Sequence, residues 1–325
     1  MLNVIVIGLG PIGVNAARAV MDDPGMKLVG LVDIDPAKAG KRLTDLPKGP
    51  KVAIDIRSTL SKKPRVAIVT TTSHFVNIVP TLRECIKHRL HVVSSCEEMS
   101  FPSFKNKKLA SQIDTEAKKR RVALLGTGVN PGFVMDLLPA ILSSMVTEVK
   151  GVKVIRRLDA AKRRLPLQAK VGATMTPGYF NKLAAEGKIG HMGIGESVAM
   201  LAAALGQQAK PAGVKIVLEP VIADRVMESR LGTIEPGMVC GMRNTASWSG
   251  KDLNIELDLT MAIGVEDAQD RVEIIGPAPL TATIPGSTPG DSATVASLIN
   301  AARLLPTVQP GLKTMLDIPV ASCRR

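Results

Sequence analysis

Aromatic residues are scarce in this chain of 325 residues, where they make up 2% of the total with one Trp and one Tyr. Proteins that stack nucleic-acid bases need exposed aromatic rings, and no zinc-finger or RNP pattern is present either. The formal net charge is nevertheless +13, with basic runs at residues 118–121 and 156–164. The first run is typical of the solvated C-terminal end of a helix, where the helix dipole favours cations. We therefore predict no nucleic-acid partner.

Long apolar runs are also missing. No stretch approaches the roughly 18 apolar residues of a membrane-spanning helix. Met1 leads directly into an apolar stretch, whereas a signal peptide places a basic region first. The cysteines (Cys85, Cys96, Cys240 and Cys323) are scattered without metal-ligand spacing, which is typical of a reducing compartment. These absences predict a cytoplasmic protein without membrane span, disulfide framework or metal.

A glycine-rich loop follows the first apolar run. Residues 1–7 end in Val-Ile-Val-Ile, which is typical of a buried parallel strand, and the next six read Gly-Leu-Gly-Pro-Ile-Gly before a helical pattern at 14–21. In dinucleotide-binding loops the three glycines permit a tight turn, close approach of the backbone to a pyrophosphate, and close packing of helix on strand. The predicted cofactor contacts here are Gly8, Gly10, Pro11, Ile12 and Gly13, at a helix N-terminus whose N–H groups bind phosphate.

An acidic residue, Asp33, ends the second apolar run, which covers residues 27–32. A carboxylate at this place accepts hydrogen bonds from the ribose 2′-hydroxyl of NAD and repels the 2′-phosphate of NADP. We therefore predict NAD as the preferred cofactor. NADP remains possible because Lys38, Lys41 and Arg42 lie nearby in the sequence.

Strand-like and helix-like segments then alternate as far as residue 125. Such alternation predicts a doubly wound parallel sheet of the Rossmann type, with ligands bound beyond the carboxyl ends of its strands. Strands are predicted at 65–72, 90–95 and 121–125, and helices at 77–88, 104–119 and 133–143. The chain is too long for one such unit, so a second domain is expected.

The pattern changes at about residue 150, where longer alternating segments predict an α+β domain with an open, mainly antiparallel sheet. Its predicted strands are 152–158, 214–227, 253–263 and 271–275, with a helix at 195–205. A further helix is predicted at 291–304, capped by Asp291 or Ser292. We expect residues 1–135 to form a dinucleotide-binding domain that residues 291–325 complete. Residues 136–290 would form a substrate-binding and dimerisation domain, with a cleft between the two.

Three polar segments follow strands of the predicted parallel sheet and are therefore candidate ligand sites. The first predicts cofactor contacts by Thr71, Thr72, Ser73 and His74, although a loop histidine is often merely exposed. The second is Cys96-Glu97-Glu98. The third, residues 126–132, contains Asn130, which either shapes the floor under a nicotinamide or belongs to an ordinary turn.

Several sequence motifs are longer and rarer than the glycine loop. Together with that loop they lie at residues 8–13, 96–98, 126–132, 157–168, 189–197 and 290–294. They resemble the 2,4-diaminopentanoate dehydrogenase family, which includes NAD(P)-dependent amine dehydrogenases and belongs to the wider group with a dihydrodipicolinate-reductase-like N-terminal domain. The resemblance spans nearly the whole chain. It implies oxidative deamination of a primary amine to a carbonyl with release of ammonia, or the reverse reductive amination, and a homodimer built through the second sheet.

The resemblance also implies an essential glutamate at position 97 or 98. Amine oxidation needs a base twice, since the amine must be neutral before hydride leaves and water must then attack the iminium. A carboxylate whose pKa is raised by burial suits both steps and stabilises the iminium charge. Glu98 is slightly favoured over Glu97, by fold-level analogy with two-domain dehydrogenases that have a catalytic lysine after the same strand. The alternative for both is a solvated helix N-terminus, which favours acidic residues.

The substrate pocket is predicted to include Phe133, Thr174 and His191. His191 lies between glycines, which permit close approach of the backbone to a ligand or serve conformation only. Arg163 and Arg164 either bind a substrate carboxylate or are solvated charges at a strand end. The expected partners are a small amine or carbonyl together with ammonia.

Two other functions compete with an amine dehydrogenase. A reductase of a cyclic imine such as dihydrodipicolinate carries a Lys-x-Asp-x-Pro-Ser-Gly-Thr stretch in its second domain, and residues 157–168 differ from it. A nucleotide-binding regulatory or scaffold protein would bind the cofactor without turnover, and would still bind it after both glutamates were replaced.

Overall fold

The computed structural model describes residues 1–161 and 165–323. The chain divides into two compact units: Met1–Phe133 together with Pro289–Arg325 form the first, and Val134–Thr288 form the second. Among the helices described, none has both the length and the apolar character needed to cross a membrane.

The first unit is built on a parallel sheet, and the predicted doubly wound fold is confirmed. Its buried strands are covered on both faces, which explains their continuous apolar runs. In chain order the elements are β1 (Leu2–Ile7), α1 (Pro11–Met21), β2 (Met26–Val32), β3 (Val52–Ala53), β4 (Val66–Val69), α2 (Phe75–Lys87), β5 (His91–Ser94), α3 (Ser103–Arg120) and β6 (Ala123–Gly126). The strands lie in the order β6-β5-β4-β1-β2-β3, all parallel.

The second unit contains a mixed sheet of six strands. The elements of this unit are α4 (Leu137–Ser143), β7 (Gly151–Asp159), α5 (Leu165–Lys170), α6 (Pro177–Ala185), α7 (Ile194–Ala204), β8 (Lys215–Ile222), β9 (Met227–Ser229), β10 (Gly232–Ile234), β11 (Val239–Ser249), β12 (Asn254–Ala262), β13 (Gln269–Ile275) and β14 (Leu280–Pro285). The sheet has the strand order β14-β13-β7-β12-β11-β8. In it β7 and β12 pair in parallel and the other neighbouring strands are antiparallel, so the prediction of a mainly antiparallel sheet is also confirmed.

After the second unit the chain returns to the first. Helix α8 (Gly290–Leu304) packs against α1, where Arg303 forms an ion pair with Asp23. Strand β15 (Gly311–Lys313) then pairs in parallel with β6 and becomes the seventh strand of the first sheet.

Several predicted boundaries are wrong. The strand predicted at 214–227 ends at Ile222, because the chain bends at 224–225 and continues in the separate strand β9. The helix predicted from 133 begins at Leu137, whose N–H is accepted by the side chain of Asp136. In the part of the chain that the structure describes, no side-chain hydrogen bond caps the start of α8, which begins at Gly290 after Pro289. Strand β11 and helices α5 and α6 were not predicted.

An ion pair lies inside the second sheet. Arg156 on β7 is in register with Asp270 on β13, and its Nη1 donates to Asp270 Oδ2 at 2.9 Å. The two side chains are 1% and 0% exposed. Asp270 Oδ2 also accepts the Thr288 N–H at 2.7 Å, and Arg156 Nη2 donates to the Thr288 carbonyl at 2.7 Å. The pair therefore fastens the last residue of this unit to its sheet.

Candidate active site

The glycine loop joins β1 to α1. Gly8 has φ +88°, which side chains rarely adopt, and a Cβ at Gly13 would overlap the Gly8 carbonyl oxygen. A Cβ at Gly10 would meet nothing within 4 Å, so open space adjoins the loop. Within the described residues no side chain caps the start of α1, and its first N–H groups therefore remain available to an anion. The loop has both the room and the donors that a pyrophosphate requires.

Asp33, directly after β2, is tied to the same loop. Its Oδ2 accepts the Leu9 N–H at 2.8 Å and the Lys38 ammonium at 3.0 Å, and its Oδ1 accepts the Asp35 N–H at 2.9 Å. Burial raises the pKa of Asp33, but these donors lower it by more, so the net shift is downward. Asp33 is therefore a charged hydrogen-bond acceptor beside the loop. It is paired with Lys38, one of the three cations (Lys38, Lys41 and Arg42) that lie nearby in the sequence.

The segment after β4 lies against the glycine loop. Thr70 Oγ1 donates to the Gly8 carbonyl at 2.7 Å, and the Thr71 methyl group lies where a Cβ at Gly8 would point. The His74 N–H donates to Thr72 Oγ1 at 3.3 Å, and His74 directly precedes α2. Thr70 is absent from the contacts predicted from the sequence, although the strand predicted at 65–72 contains it together with Thr71 and Thr72, which are among those contacts. Its hydroxyl group, one residue before Thr71, was the available signal.

Glu98 is bound on several sides. It lies in a short 3₁₀ turn after β5, and its N–H donates to the Ser73 carbonyl at 3.2 Å. Its Oε2 accepts the N–H of Phe75, the first residue of α2, at 2.8 Å. Its Oε1 lies 3.3 Å from the Lys105 ammonium and 3.5 Å from His74 Nδ1. This carboxylate therefore caps α2 and fixes the segment beside the glycine loop.

The electrostatics of Glu98 differ from the expectation of a raised pKa. Burial raises the pKa of Glu98, but the Phe75 N–H and the nearby cations lower it by more, so the net shift is downward. The side chain is only 10% exposed, so the alternative of a solvated helix N-terminus is wrong for this residue. Glu98 is a carboxylate held in its ionised form.

Glu97 differs from its neighbour. It is half-buried, and its carboxylate has no hydrogen-bond or ion-pair partner in the described part of the chain. The Glu98 carboxylate is held by hydrogen bonds and cations, whereas the Glu97 carboxylate is not. Two acids in such different environments can take different chemical roles.

The segment after β6 also reaches this end of the sheet. The Thr127 N–H donates to the Ser94 carbonyl at 2.9 Å, and Asn130 is buried before a cis peptide bond to Pro131. The Thr127 hydroxyl is buried and has no hydrogen-bond partner within the described residues. Sequence analysis missed Thr127 as a candidate, although its segment was singled out.

The predicted pocket residues fall in both units. Phe133 is half-buried at the end of the first stretch of the first unit. Thr174, with φ +70°, and His191 are half-buried in the second unit, and the Thr174 N–H donates to the Val239 carbonyl at 3.0 Å. Arg163 and Arg164 lie outside the described residues.

Two buried carboxylates of the second unit were not predicted as site residues. Asp136 Oδ2 accepts the Ser197 hydroxyl at 2.7 Å, and Glu196, beside Ser197, is 1% exposed. Glu196 and Ser197 belong to a motif quoted above, which was the signal available for them. Within residues 1–161 and 165–323 no three His, Cys, Asp or Glu side chains form a group that could hold a metal ion.

Comparison with known proteins gives consistent matches. The family model of the 2,4-diaminopentanoate dehydrogenase C-terminal domain matches residues 133–324. The 2,4-diaminopentanoate dehydrogenase of Acetoanaerobium sticklandii is 30% identical over 338 aligned positions, which cover 98% of this chain and 94% of the relative. An amine dehydrogenase of Streptomyces virginiae is 26% identical over 47% of this chain and 45% of its own length. The solved amine dehydrogenase from Mycobacterium smegmatis has the same fold, with a TM-score of 0.85 at 22% identity over 99% of this chain and 97% of that one.

Proposed function

The chain belongs to the 2,4-diaminopentanoate dehydrogenase family, and on this basis we propose that it is an NAD(P)-dependent oxidoreductase acting on CH–NH2 groups. The reaction is the oxidative deamination of a primary amine or diamino acid, of the 2,4-diaminopentanoate type, to the carbonyl with release of ammonia, or its reverse.

One observation carries this proposal beyond family membership. The Glu97–Glu98 turn is hydrogen-bonded to the 70–74 segment, which in turn contacts the glycine loop at Gly8. An acid–base group is thereby held in the same unit, and at the same end of the sheet, as the candidate dinucleotide loop. Amine oxidation requires such a base and an acceptor for hydride.

We assign different roles to the two glutamates. A bound nicotinamide dinucleotide would supply the hydride acceptor, held by the glycine loop and Asp33. Glu97, whose carboxylate is uncommitted, takes the proton from the ammonium group of the substrate and releases it to solvent. It later takes a proton from the attacking water and passes it to the departing ammonia. Glu98, held ionised by its neighbours, positions His74 and the start of α2 and adds negative charge that favours the iminium. The sequence-based preference for Glu98 as the base is thus reversed in this proposal.

The proposal is tested by following absorbance at 340 nm with 2,4-diaminopentanoate and a panel of primary amines, using NAD and NADP in parallel. We expect amine-dependent reduction of the cofactor, and the reverse signal from ketones or aldehydes with ammonia. Turnover of a cyclic imine without any amine activity would favour the reductase alternative. Cofactor binding without turnover of any substrate would favour a non-catalytic nucleotide-binding protein.

The preference for NAD over NADP is tested at Asp33. We expect Asp33→Asn to shift the ratio of kcat/KM for NAD to that for NADP towards NADP by about ten-fold, the effect of one charge-assisted hydrogen bond. Lys38→Met is the matched control, because it removes the cation that pairs with Asp33 and should weaken NADP more than NAD. Equal kcat/KM values of the wild-type protein for the two cofactors would refute the preference.

Four finer assignments complete the proposal. Asn130 contacts the cofactor, and Phe133, Thr174 and His191 line the substrate pocket. The protein is a homodimer through its six-stranded sheet, which light scattering would test. It is cytoplasmic, in keeping with four unpaired cysteines.

Burial raises the pKa of the Cys85 and Cys96 thiols to about 12, so these two remain unreactive thiols.

A further inference from the structure

A basic cavity lies at the amino ends of β4, β5 and β6. It has a volume of about 620 Å³, and five of its described lining residues are cationic: Arg65, Arg89, Lys119, Arg120 and Arg121. No acidic side chain is among the described lining residues. Because the strands are parallel, this end of the sheet is opposite to the end that holds the glycine loop.

The five cations are unpaired in the described part of the chain. None of them has a side-chain hydrogen bond or a carboxylate within ion-pair distance there. Their neighbours on α2 and α3 differ, since Lys118 pairs with Asp114 at 2.7 Å and Arg83 with Glu116 at 2.9 Å. These side chains are exposed, so solvent screens their mutual repulsion, and a bound anion would relieve the part that remains.

Two of the cations occupy unusual backbone positions. Arg89 and Arg121 have φ values of +57° and +59°, each just after the end of a helix. Glycine is the ordinary residue at such positions because it has no Cβ. A helix C-terminus favours a nearby cation, and Lys63, with φ +51°, is a third example near the same end of the sheet. Lys63 does not line the cavity. The helix dipole alone therefore does not explain why Arg89 and Arg121 both line the same cavity.

His91 adds a neutral donor. It is buried at the start of β5, and its Nδ1 accepts the Ala123 N–H at 3.1 Å, which leaves the proton on Nε2. Burial, with a smaller effect of Arg65, lowers the pKa of His91 to about 4, so the ring is neutral at physiological pH. The other histidine of the lining, His88, is paired with Glu84 at 3.0 Å and is not counted among the anion-binding groups.

We propose that this cavity is a binding site for a small anion with several phosphate groups, such as a polyphosphate or the phosphate chain of a nucleoside triphosphate. Its volume lies within the range of about 300–1,000 Å³ that is usual for small-molecule sites. Arginine is well suited to phosphate because its guanidinium group donates two parallel hydrogen bonds. The described lining has no Phe, Tyr or Trp ring for stacking a base, and its two histidine rings are engaged by Ala123 and Glu84. The phosphate chain is therefore the recognised part. The site is independent of the proposed dehydrogenase activity.

The test is calorimetric titration of the full-length protein with tripolyphosphate in saturating NAD, which occupies the glycine loop. We expect one site in the wild-type protein and about 100-fold weaker binding in the double variant Arg89→Gly/Arg121→Gly, which loses two charge-assisted contacts. Glycine suits both backbone positions, so the variant should fold. Lys63→Gly is the matched control: it removes the same charge from the same backbone conformation outside the cavity, and should change affinity by about two-fold at most at physiological salt.

The outcomes separate the possible ligands. Equal affinity for tripolyphosphate and ATP would support recognition of the phosphate chain from either source. Orthophosphate bound as tightly as tripolyphosphate would overturn the assignment to a multivalent anion. A single-stranded oligonucleotide that binds much more tightly than tripolyphosphate, with the same loss in the double variant, would replace the small anion by nucleic acid. Unchanged tripolyphosphate binding in the double variant would refute the site.

Discussion

Replacing Glu97 with glutamine is expected to lower kcat by about 100- to 10,000-fold, the usual contribution of a general base. The midpoint of thermal unfolding should stay close to that of the wild-type protein, because the Glu97 carboxylate has no partner in the described part of the chain that the variant would lose. Steady-state kinetics with the best amine of the panel, together with thermal unfolding of the same samples, measure both effects.

The matched control is Glu98→Gln. Glutamine can still accept the Phe75 N–H, but the attraction to Lys105 and His74 is lost. We expect a lower free energy of unfolding, by about 1–3 kcal/mol, and a smaller loss of kcat than in Glu97→Gln. A Glu98→Gln variant of normal stability without turnover, beside an active Glu97→Gln variant, would assign the base to Glu98 instead.

The pH dependence of stability separates the two glutamates further. Because the pKa of Glu98 is lowered in the folded protein, its interactions add stability above the pKa of the unfolded chain and are lost as the pH falls. As the pH falls from about 4.3, the usual value for glutamate in an unfolded chain, through the lower pKa of folded Glu98, the free energy of unfolding should therefore fall more in the wild-type protein than in Glu98→Gln.

The largest effect on stability is expected from Asp270→Ala. The variant leaves the Arg156 guanidinium without its carboxylate, in a place where the arginine side chain is 1% exposed. Removing one partner of a buried ion pair costs about 3–5 kcal/mol. The Thr288 N–H also loses its acceptor. Urea unfolding measures the change as a lower transition midpoint.

The same sheet offers a matched control in a second arginine–aspartate pair. Arg243 on β11 and Asp258 on β12 approach to 2.8 Å, but their side chains are 50% and 23% exposed. Asp258→Ala should cost about 0–1 kcal/mol, as exposed pairs do. Equal losses in the two alanine variants would contradict the role given to burial. Replacing both members by apolar residues, as in Arg156→Met/Asp270→Leu, should restore much of the stability that Asp270→Ala loses.

The sequence predicted the first unit better than the second for a physical reason. Strands buried on both faces are continuous apolar runs, and β4 (Val-Ala-Ile-Val) can be recognised from its composition. Strand β11 escaped recognition because buried Asn244 and the small polar residues after it interrupt the expected alternation, although this strand lies inside the second sheet. The run at 214–227 predicts one strand because apolar residues lie on both sides of the bend that divides it.

The candidate site likewise combines features that a sequence pattern specifies with features that depend on the folded structure. The glycine loop is a local pattern: Gly8 and Gly13 each have a backbone or packing requirement that the motif encodes, and Gly10 leaves open space beside the loop. The environment of Glu98 depends on where α2 begins, 23 residues earlier in the chain. A sequence pattern does not specify that hydrogen bond, so the direction of the pKa shift was wrong. The pairing of Asp33 with Lys38 rather than with Lys41 or Arg42 likewise depends on how the intervening turn folds.

The late arrival of β15 in the first sheet has a consequence for synthesis on the ribosome. Residues 1–133 emerge first, but β6 keeps an unpaired side until residues 311–313 have been made. A nascent chain in that state exposes backbone donors and acceptors that another chain can pair with, which is a route to aggregation. Helix α8, which covers α1, is also made late. This dinucleotide-binding fold therefore cannot complete itself during translation in the order in which its residues appear, and it depends on the second unit having been synthesised before it closes.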